Sequence, residues 1–238
     1  LAADAARAPR RSGRVTWNDV EAIREATTLF QRMDQQRGGG YGASAASAFL
    51  KDEVLPVLRY RTPSEQLRRD LFSAASELVY VLGWSAFDGN RHGRAQRYLQ
   101  LSIKLAAEAG DRALAGHELR ALAHQAMDLG HDRQAVELTA ASMEQAFMSA
   151  GSRERALLGV VRARSLARVG DRHASAKALL RAEDDLADAK DGDDEPGRVW
   201  FFGEASLAHE TARTLQCTGD FQEAQRQFER SVRLRGTA

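Results

Sequence analysis

Apolar residues recur along this chain at three- and four-residue spacing, the mark of helices with one buried face. Leu78, Leu82 and Ala86 form one such stripe, and Leu99, Ser102 and Leu105 the next. The pattern returns at Leu119, Leu122 and Ala126, then at Ala178, Leu179 and Ala182. No stretch sustains the alternate-residue pattern of a strand, so the expected fold is all-α. Thr16 caps a first helix whose face is Val20, Ile23, Phe30 and Met33, and Gly38-Gly39-Gly40 ends it. A second helix is expected from about Gly42 to Arg59, and Pro63-Ser64 opens a long third. Asp111, Asp132, Ser152 and Asp171 mark later starts, each just beyond a Gly or His. The triple glycine reads as a turn: no strand precedes it, and the Lys-Ser or Lys-Thr of a phosphate loop does not follow.

A three-point signature organises these stripes. A small residue is followed seven positions later by Gly or Asn, and five positions after that by Ala or Ser. The four instances are Gly83, Asn90, Ala95; Ala123, Gly130, Ala135; Ala163, Gly170, Ser175; and Ala212, Gly219, Ala224, at offsets of 40, 40 and 49. The first point lets a partner helix approach closely, the second tolerates the left-handed turn of a C-terminal cap, and the third faces back across the hairpin. A period of this length predicts about five stacked antiparallel helical hairpins, none of which buries its apolar face alone.

The order apolar, small, Ala, apolar at Leu82, Gly83, Ala95 and Leu99 resembles the tetratricopeptide repeat over roughly residues 64 to 235. Val79 and Arg162 depart from the family's pattern, and the period is longer than usual. The resemblance implies a right-handed superhelical stack whose first helices line an inner wall. Longer strings resemble a narrower group. They are Asp19-Val20-Glu21-Ala22-Ile23-Arg24-Glu25-Ala26-Thr27, Gly38-Gly39-Gly40, Asp52-Glu53-Val54, Leu71-Phe72-Ser73-Ala74-Ala75, Gly83-Trp84-Ser85-Ala86-Phe87-Asp88 and His92-Gly93-Arg94-Ala95-Gln96-Arg97-Tyr98. In that order they are similar to the C-terminal, tetratricopeptide-like regulatory half of actinobacterial helix-turn-helix regulators of the XRE type. That resemblance implies regulation of transcription, with DNA reached only through an N-terminal DNA-binding domain preceding Leu1. It makes residues 1–15 the basic linker from that domain and 16–238 the α-solenoid.

Composition narrows the classes further. Lys and Arg number 34 against 33 Asp and Glu, so the chain carries no overall basic field of a nucleic-acid binder. A single cysteine, Cys217, cannot form an internal disulfide and fits a reducing, cytoplasmic setting, where it is expected as a buried, inert thiol. No apolar run is long enough to span a membrane. Charge is nonetheless uneven. Arg7, Arg10, Arg11 and Arg14 form a basic segment, read as a tether or as a linker touching phosphates. The acids from Glu183 to Glu195 are opposed by Lys190 alone, and are expected to form a solvated loop that lacks a calcium-loop pattern.

Projecting the repeat register inward gives Tyr80, Trp84, Phe87 and Asp88 in the first unit, then His117, Arg120, His124 and Met127. The third unit gives Arg164 and Arg168, and the fourth His209, Arg213 and Gln216. An aromatic patch followed by forked cationic groups on an open wall suits an acidic ligand, a peptide carboxylate or a small acid. Each residue alone has a plain structural reading as core or as a solvated ion pair. The six His, at 92, 117, 124, 131, 173 and 209, make no short metal-binding pattern, and no nucleophile elbow or nucleotide fingerprint is present. No enzyme, metal or cofactor is expected. The expected function is a ligand-sensing, homodimerising domain of a regulator; the alternative is a tetratricopeptide-type scaffold for a partner protein without a small effector.

Overall fold

The computed structural model describes residues 13–37, 42–189 and 196–236. Among them there is no strand, only an isolated bridge between Arg14 and Arg61. The chain packs as two compact units divided between Asp111 and Arg112.

The first unit contains α1 (Trp17–Arg37), α2 (Ala43–Phe49), α3 (Leu55–Val57), α4 (Glu65–Asp88) and α5 (His92–Ala109). Thr16 starts α1 by donating its backbone N–H and its hydroxyl to Asp19 Oδ2, at 2.9 and 2.8 Å. A π-helical turn, Leu50–Val54, joins α2 to α3. It falls beside Pro56, whose missing N–H leaves the Asp52 carbonyl without its helical donor. Ser64 caps α4, its hydroxyl oxygen accepting from the Leu67 N–H at 3.2 Å. Val20 and Ile23 of α1, Val54, Val57, and Leu67, Leu71, Leu78 and Leu82 of α4 make the core, with the Phe30 and Phe49 rings packed against it. Each fully buried leucine contributes about 1.5–3 kcal/mol.

Three hairpins make the second unit: α6 (Arg112–Asp128) with α7 (Asp132–Ala146), α8 (Ser152–Arg168) with α9 (Arg172–Ala187), and α10 (Glu204–Thr218) with α11 (Phe221–Gly236). A single 3-10 turn, Gly197–Val199, precedes α10. Its main core joins Leu157, Val160 and Val161 of α8 to Met127, Leu179, Val199, Phe202 and Leu207. With α1 against α2 and α4 against α5 in the first unit, the expected hairpins are all present.

The signature positions do what their chemistry dictates. Ala123, Ala163 and Ala212 are buried, as are Ala95, Ala135, Ser175 and Ala224 across their hairpins. At Gly83 a Cβ would stand 2.8 Å from Leu99 Cδ2, so only glycine lets α4 and α5 come this close. Asn90, Gly130, Gly170 and Gly219 all hold left-handed φ, from 55° to 84°. Serine hydroxyls satisfy carbonyls at the tight crossings, as Ser142 does by donating to Gly116 O at 2.6 Å.

The acidic run behaves differently from the expected loop at its start. Helix α9 continues through Ala187, and Asp185 is buried with its Oδ1 2.9 Å from Arg155 Nε. Pairing with a cation on the adjacent helix keeps this acid helical despite its like-charged neighbours. Residues 190–195 lie outside the described residues, as do Arg7, Arg10, Arg11 and the triple glycine. Val15, at the edge of the basic segment, is buried and donates its N–H to Arg61 O at 3.2 Å.

Candidate functional site

Helix α4 ends in an aromatic cluster. Tyr80, Trp84, Phe87 and Asp88 recur at helical spacing and so share one face. The Tyr80 and Trp84 rings stack at 6.3 Å, Trp84 and Phe87 meet at 5.4 Å, and Phe87 meets the His92 ring at 6.0 Å. All three aromatics are half-buried. Burial raises the Asp88 carboxyl above its ordinary value, and Asp34 on α1 adds to this, while a hydrogen bond from Trp84 opposes it.

In the second unit three of the expected positions, His117, Arg120 and Arg164, are buried among polar partners. Glu154, on the first turn of α8, is fully buried, and Arg198 grips it with two bonds, Nε to Oε1 at 2.7 Å and Nη2 to Oε2 at 3.0 Å. His117 on α6 lies on the other side, its Nδ1 3.5 Å from Glu154 Oε1. Arg120 Nη2 approaches His117 Nε2 at 3.4 Å. Burial first, and then Arg120, push the His117 imidazole down to about 4, so it is neutral at pH 7. The arrangement then selects one tautomer, with a proton on Nδ1 towards the carboxylate and a lone pair on Nε2 towards the guanidinium.

Further along the same two helices, Arg164 of α8 donates through Nη2 to His124 Nδ1 of α6 and sets Nη1 3.0 Å from Glu210 Oε2 of α10. His124 is pushed well below its ordinary value by burial, then by Arg164, Arg120 and Arg213. Its Nδ1 is therefore the acceptor and Nε2 carries the proton. Burial is also the first cause that lowers Arg164, with Arg213 adding and Glu210 opposing. Arg213 is exposed and makes no hydrogen bond or ion pair among the described residues. His209 packs edge-on against the Phe228 ring at 5.4 Å, and burial lowers its imidazole.

The inward register thus brings His117, Arg120, His124, Arg164, His209 and Arg213 onto α6, α8 and α10. His117, Arg120 and Arg164 are buried, which corrects the expectation that they stand on an open wall. Their groups face helix neighbours because carboxylates from α8 and α10 meet them there. Arg168 stands apart, its Nε in an ion pair with Asp132 of α7. Cys217 is exposed, against the expectation of a buried thiol. Sequence reasoning missed Glu154, Glu210 and Arg198. For Glu154 a signal existed: in the 40-residue register it takes the place of Leu114 and Ala74, both core residues. A carboxylate at a core position announces a buried partner.

Within the cluster the buried cations are matched by carboxylates, Arg198 by Glu154 and Arg164 by Glu210. Among the described residues no group of three or more His, Cys, Asp or Glu is placed to hold a metal ion, and no helix is long and apolar enough to cross a membrane.

The fold is all-helical among the described residues and tetratricopeptide-repeat-like. The chain is similar to a putative kinesin light chain of Podosopora anserina with nearly identical TPR-like repeats, at 18% identity and TM-score 0.57, over 94% of this chain and 98% of that one. It is also similar to BtubC (BKLC) of P. vanneervenii, at 14% identity and TM-score 0.56, over 92% and 91%. No protein-family model matches the chain, and no curated protein does. At these identities the likeness is one of fold.

Proposed function

We propose that the chain is a binding domain that takes an acidic ligand, a peptide carboxylate or a small organic acid, against the basic face of α6, α8 and α10. It serves as the sensing and self-associating half of a bacterial helix-turn-helix regulator in the cytoplasm, meeting DNA through a separate N-terminal domain. What supports the binding reading most is the ladder His124, Arg164, Arg213, in which three successive repeats put a nitrogen-rich side chain at one register position. Arg164 is held by His124 and Glu210, so its charge is fixed before any ligand arrives, and exposed Arg213 offers a fork beside it. The resemblance in the sequence supports the regulatory half: ligand binding shifts the population between arrangements of a homodimer. The reading is of a non-enzyme, since such folds typically serve as non-catalytic scaffolds.

Calorimetric titration tests it with a short acidic peptide ending in a free carboxylate, beside the same peptide amidated, and with citrate. Arg213→Ala is expected to weaken carboxylate binding roughly tenfold or more, the worth of a charge-assisted bond, without lowering the melting temperature. Failure of the parent protein to bind any carboxylate sinks the effector reading and leaves the scaffold alternative. The coding sequence ahead of Leu1 tests the regulatory half, where a helix-turn-helix is expected.

A further inference from the structure

The segment between α9 and α10 is built unlike an ordinary connection. Val199 and Phe202 are buried in the core of the second unit, at 0% and 1% exposure. Arg198 is clamped on Glu154, and Arg153 Nη1 donates to Phe202 O at 2.9 Å. Between these anchors Trp200 and Phe201 point outward, 64% and 43% exposed, their rings edge-on at 6.5 Å. The backbone beneath them is therefore fixed from both sides while two large aromatics face solvent. Because the segment is bound to the first turn of α8, it lies at the same end of the unit as the turn before α8. That turn carries Phe147 and Met148, 62% and 86% exposed. Four large exposed apolar side chains thus stand at this end of the unit, here called the rim, and rigid, pre-positioned aromatics bind a partner at low ordering cost.

Charge indicates the occupant. The basic residues near this rim are engaged: Arg153 with Phe202 O, Arg155 with Asp185, and Arg198 with Glu154. Glu183, Asp184 and Asp188, on and just beyond the last turns of α9, are exposed and form no ion pair among the described residues. Arg153 keeps its charge beside a carbonyl, and Arg181 shares Asp185 with Arg155, so these three acids leave the end of α9 with a small excess of negative charge, which favours cations.

We propose that this rim is a docking surface for a basic amphipathic segment of a partner protein, its apolar side chains on Trp200, Phe201, Phe147 and Met148 and its Lys or Arg residues against Glu183, Asp184 and Asp188. The surface is distinct from the basic face of α6, α8 and α10 and takes ligands of the opposite sign, so the two stand or fall separately.

Fluorescence anisotropy tests the proposal with a labelled helical peptide bearing Leu and Phe anchors with Lys and Arg between them, beside a twin in which Glu replaces each basic residue. The basic peptide is expected to bind and the acidic twin to bind at least about tenfold more weakly. Trp200→Ala is expected to weaken the basic peptide about tenfold or more, as loss of an aromatic anchor does. Phe201→Ser provides a second variant at an exposed position, with circular dichroism confirming the parent's helix content in both. The triple variant Glu183→Lys, Asp184→Lys, Asp188→Lys is expected to reverse the preference between the twins. Equal affinity for both peptides, or binding untouched by Trp200→Ala and Phe201→Ser, overturns the proposal. So does binding of phosphatidylserine vesicles that Trp200→Ala abolishes, which marks a membrane surface. Self-association in sedimentation that Trp200→Ala abolishes also overturns it, because a second copy is then the occupant.

Discussion

The two units place the same register position in opposite chemistries. At the point taken by Trp84 in the first unit, the second carries His124, Arg164 and Arg213 in turn. Where Tyr80 stands in the first, the second has Arg120, Val160 and His209. In the first unit the position is satisfied by ring contacts among Tyr80, Trp84 and Phe87, which need no partner of particular charge. In the second, His124 and Arg164 are satisfied by matched donors and acceptors that depend on one another, while Arg213 stays exposed. The register of a helical repeat fixes where a side chain lies. It leaves open whether that place is apolar or ionic, and an ionic choice must recruit carboxylates from elsewhere, here Glu154 and Glu210.

The largest test of that contrast removes a carboxylate. Glu154→Ala leaves the Arg198 guanidinium and the His117 imidazole facing a void, and is expected to cost about 3–5 kcal/mol in urea unfolding, the cost of breaking a buried pair from one side. The double variant Glu154→Leu, Arg198→Leu should recover much of that loss. A double variant as unstable as the single one would show that the pair does more than satisfy itself.

Acid sharpens the comparison, because His117 and Asp88 respond with opposite sign. The native His117 value, about 4, lies below its unfolded value near 6.5, so the unfolded state binds the extra proton first. Stability from this group is complete above pH 6.5 and falls as pH drops towards 4, by up to roughly 3 kcal/mol. His124 shifts in the same direction. Asp88 in the first unit is raised instead, so its native state binds the proton more readily and gains stability on acidification. Proton magnetic resonance of the imidazole rings checks the first half: His117 should remain neutral at pH 5.

A smaller effect is expected where the units share their design. Gly170→Val forces a branched side chain into left-handed backbone at φ 83° and should cost about 1–2 kcal/mol by thermal unfolding. The smallest is Arg168→Ala. Its ion pair with Asp132 lies at the surface, so a change of more than about 1 kcal/mol would place it in the buried network after all.

The parts of the fold legible in the sequence were those with local causes. Asn90, Gly130, Gly170 and Gly219 announce left-handed stops, and Ser64 and Asp171 cap the helices they precede. Gly83 and Ala123 announce close crossings by size alone. The register also puts His124, Arg164 and Arg213 at equivalent positions of successive hairpins. What it did not convey was exposure, because Arg164 and His117 are buried by partners on other helices, and Arg198 lies 44 residues from Glu154. The end of α9 was misread for the same reason, since Arg155 lies 30 residues before the Asp185 it pairs with.

Stacked repeats ordinarily melt like beads on a string, each coupled only to its neighbour, so the ends fray before the middle. The clamp of Arg198 on Glu154, reinforced by Arg153 on Phe202 O, ties the connection before α10 back to the start of α8. Arg164 and Glu210 close a second tie between the same two helices. Opening the last hairpin therefore strands a carboxylate and a guanidinium in the hairpin left behind. Hydrogen exchange in α10 should follow the slow, concerted opening of α8, whereas α11, whose Phe221 and Val232 lie open to water, should exchange by local fraying.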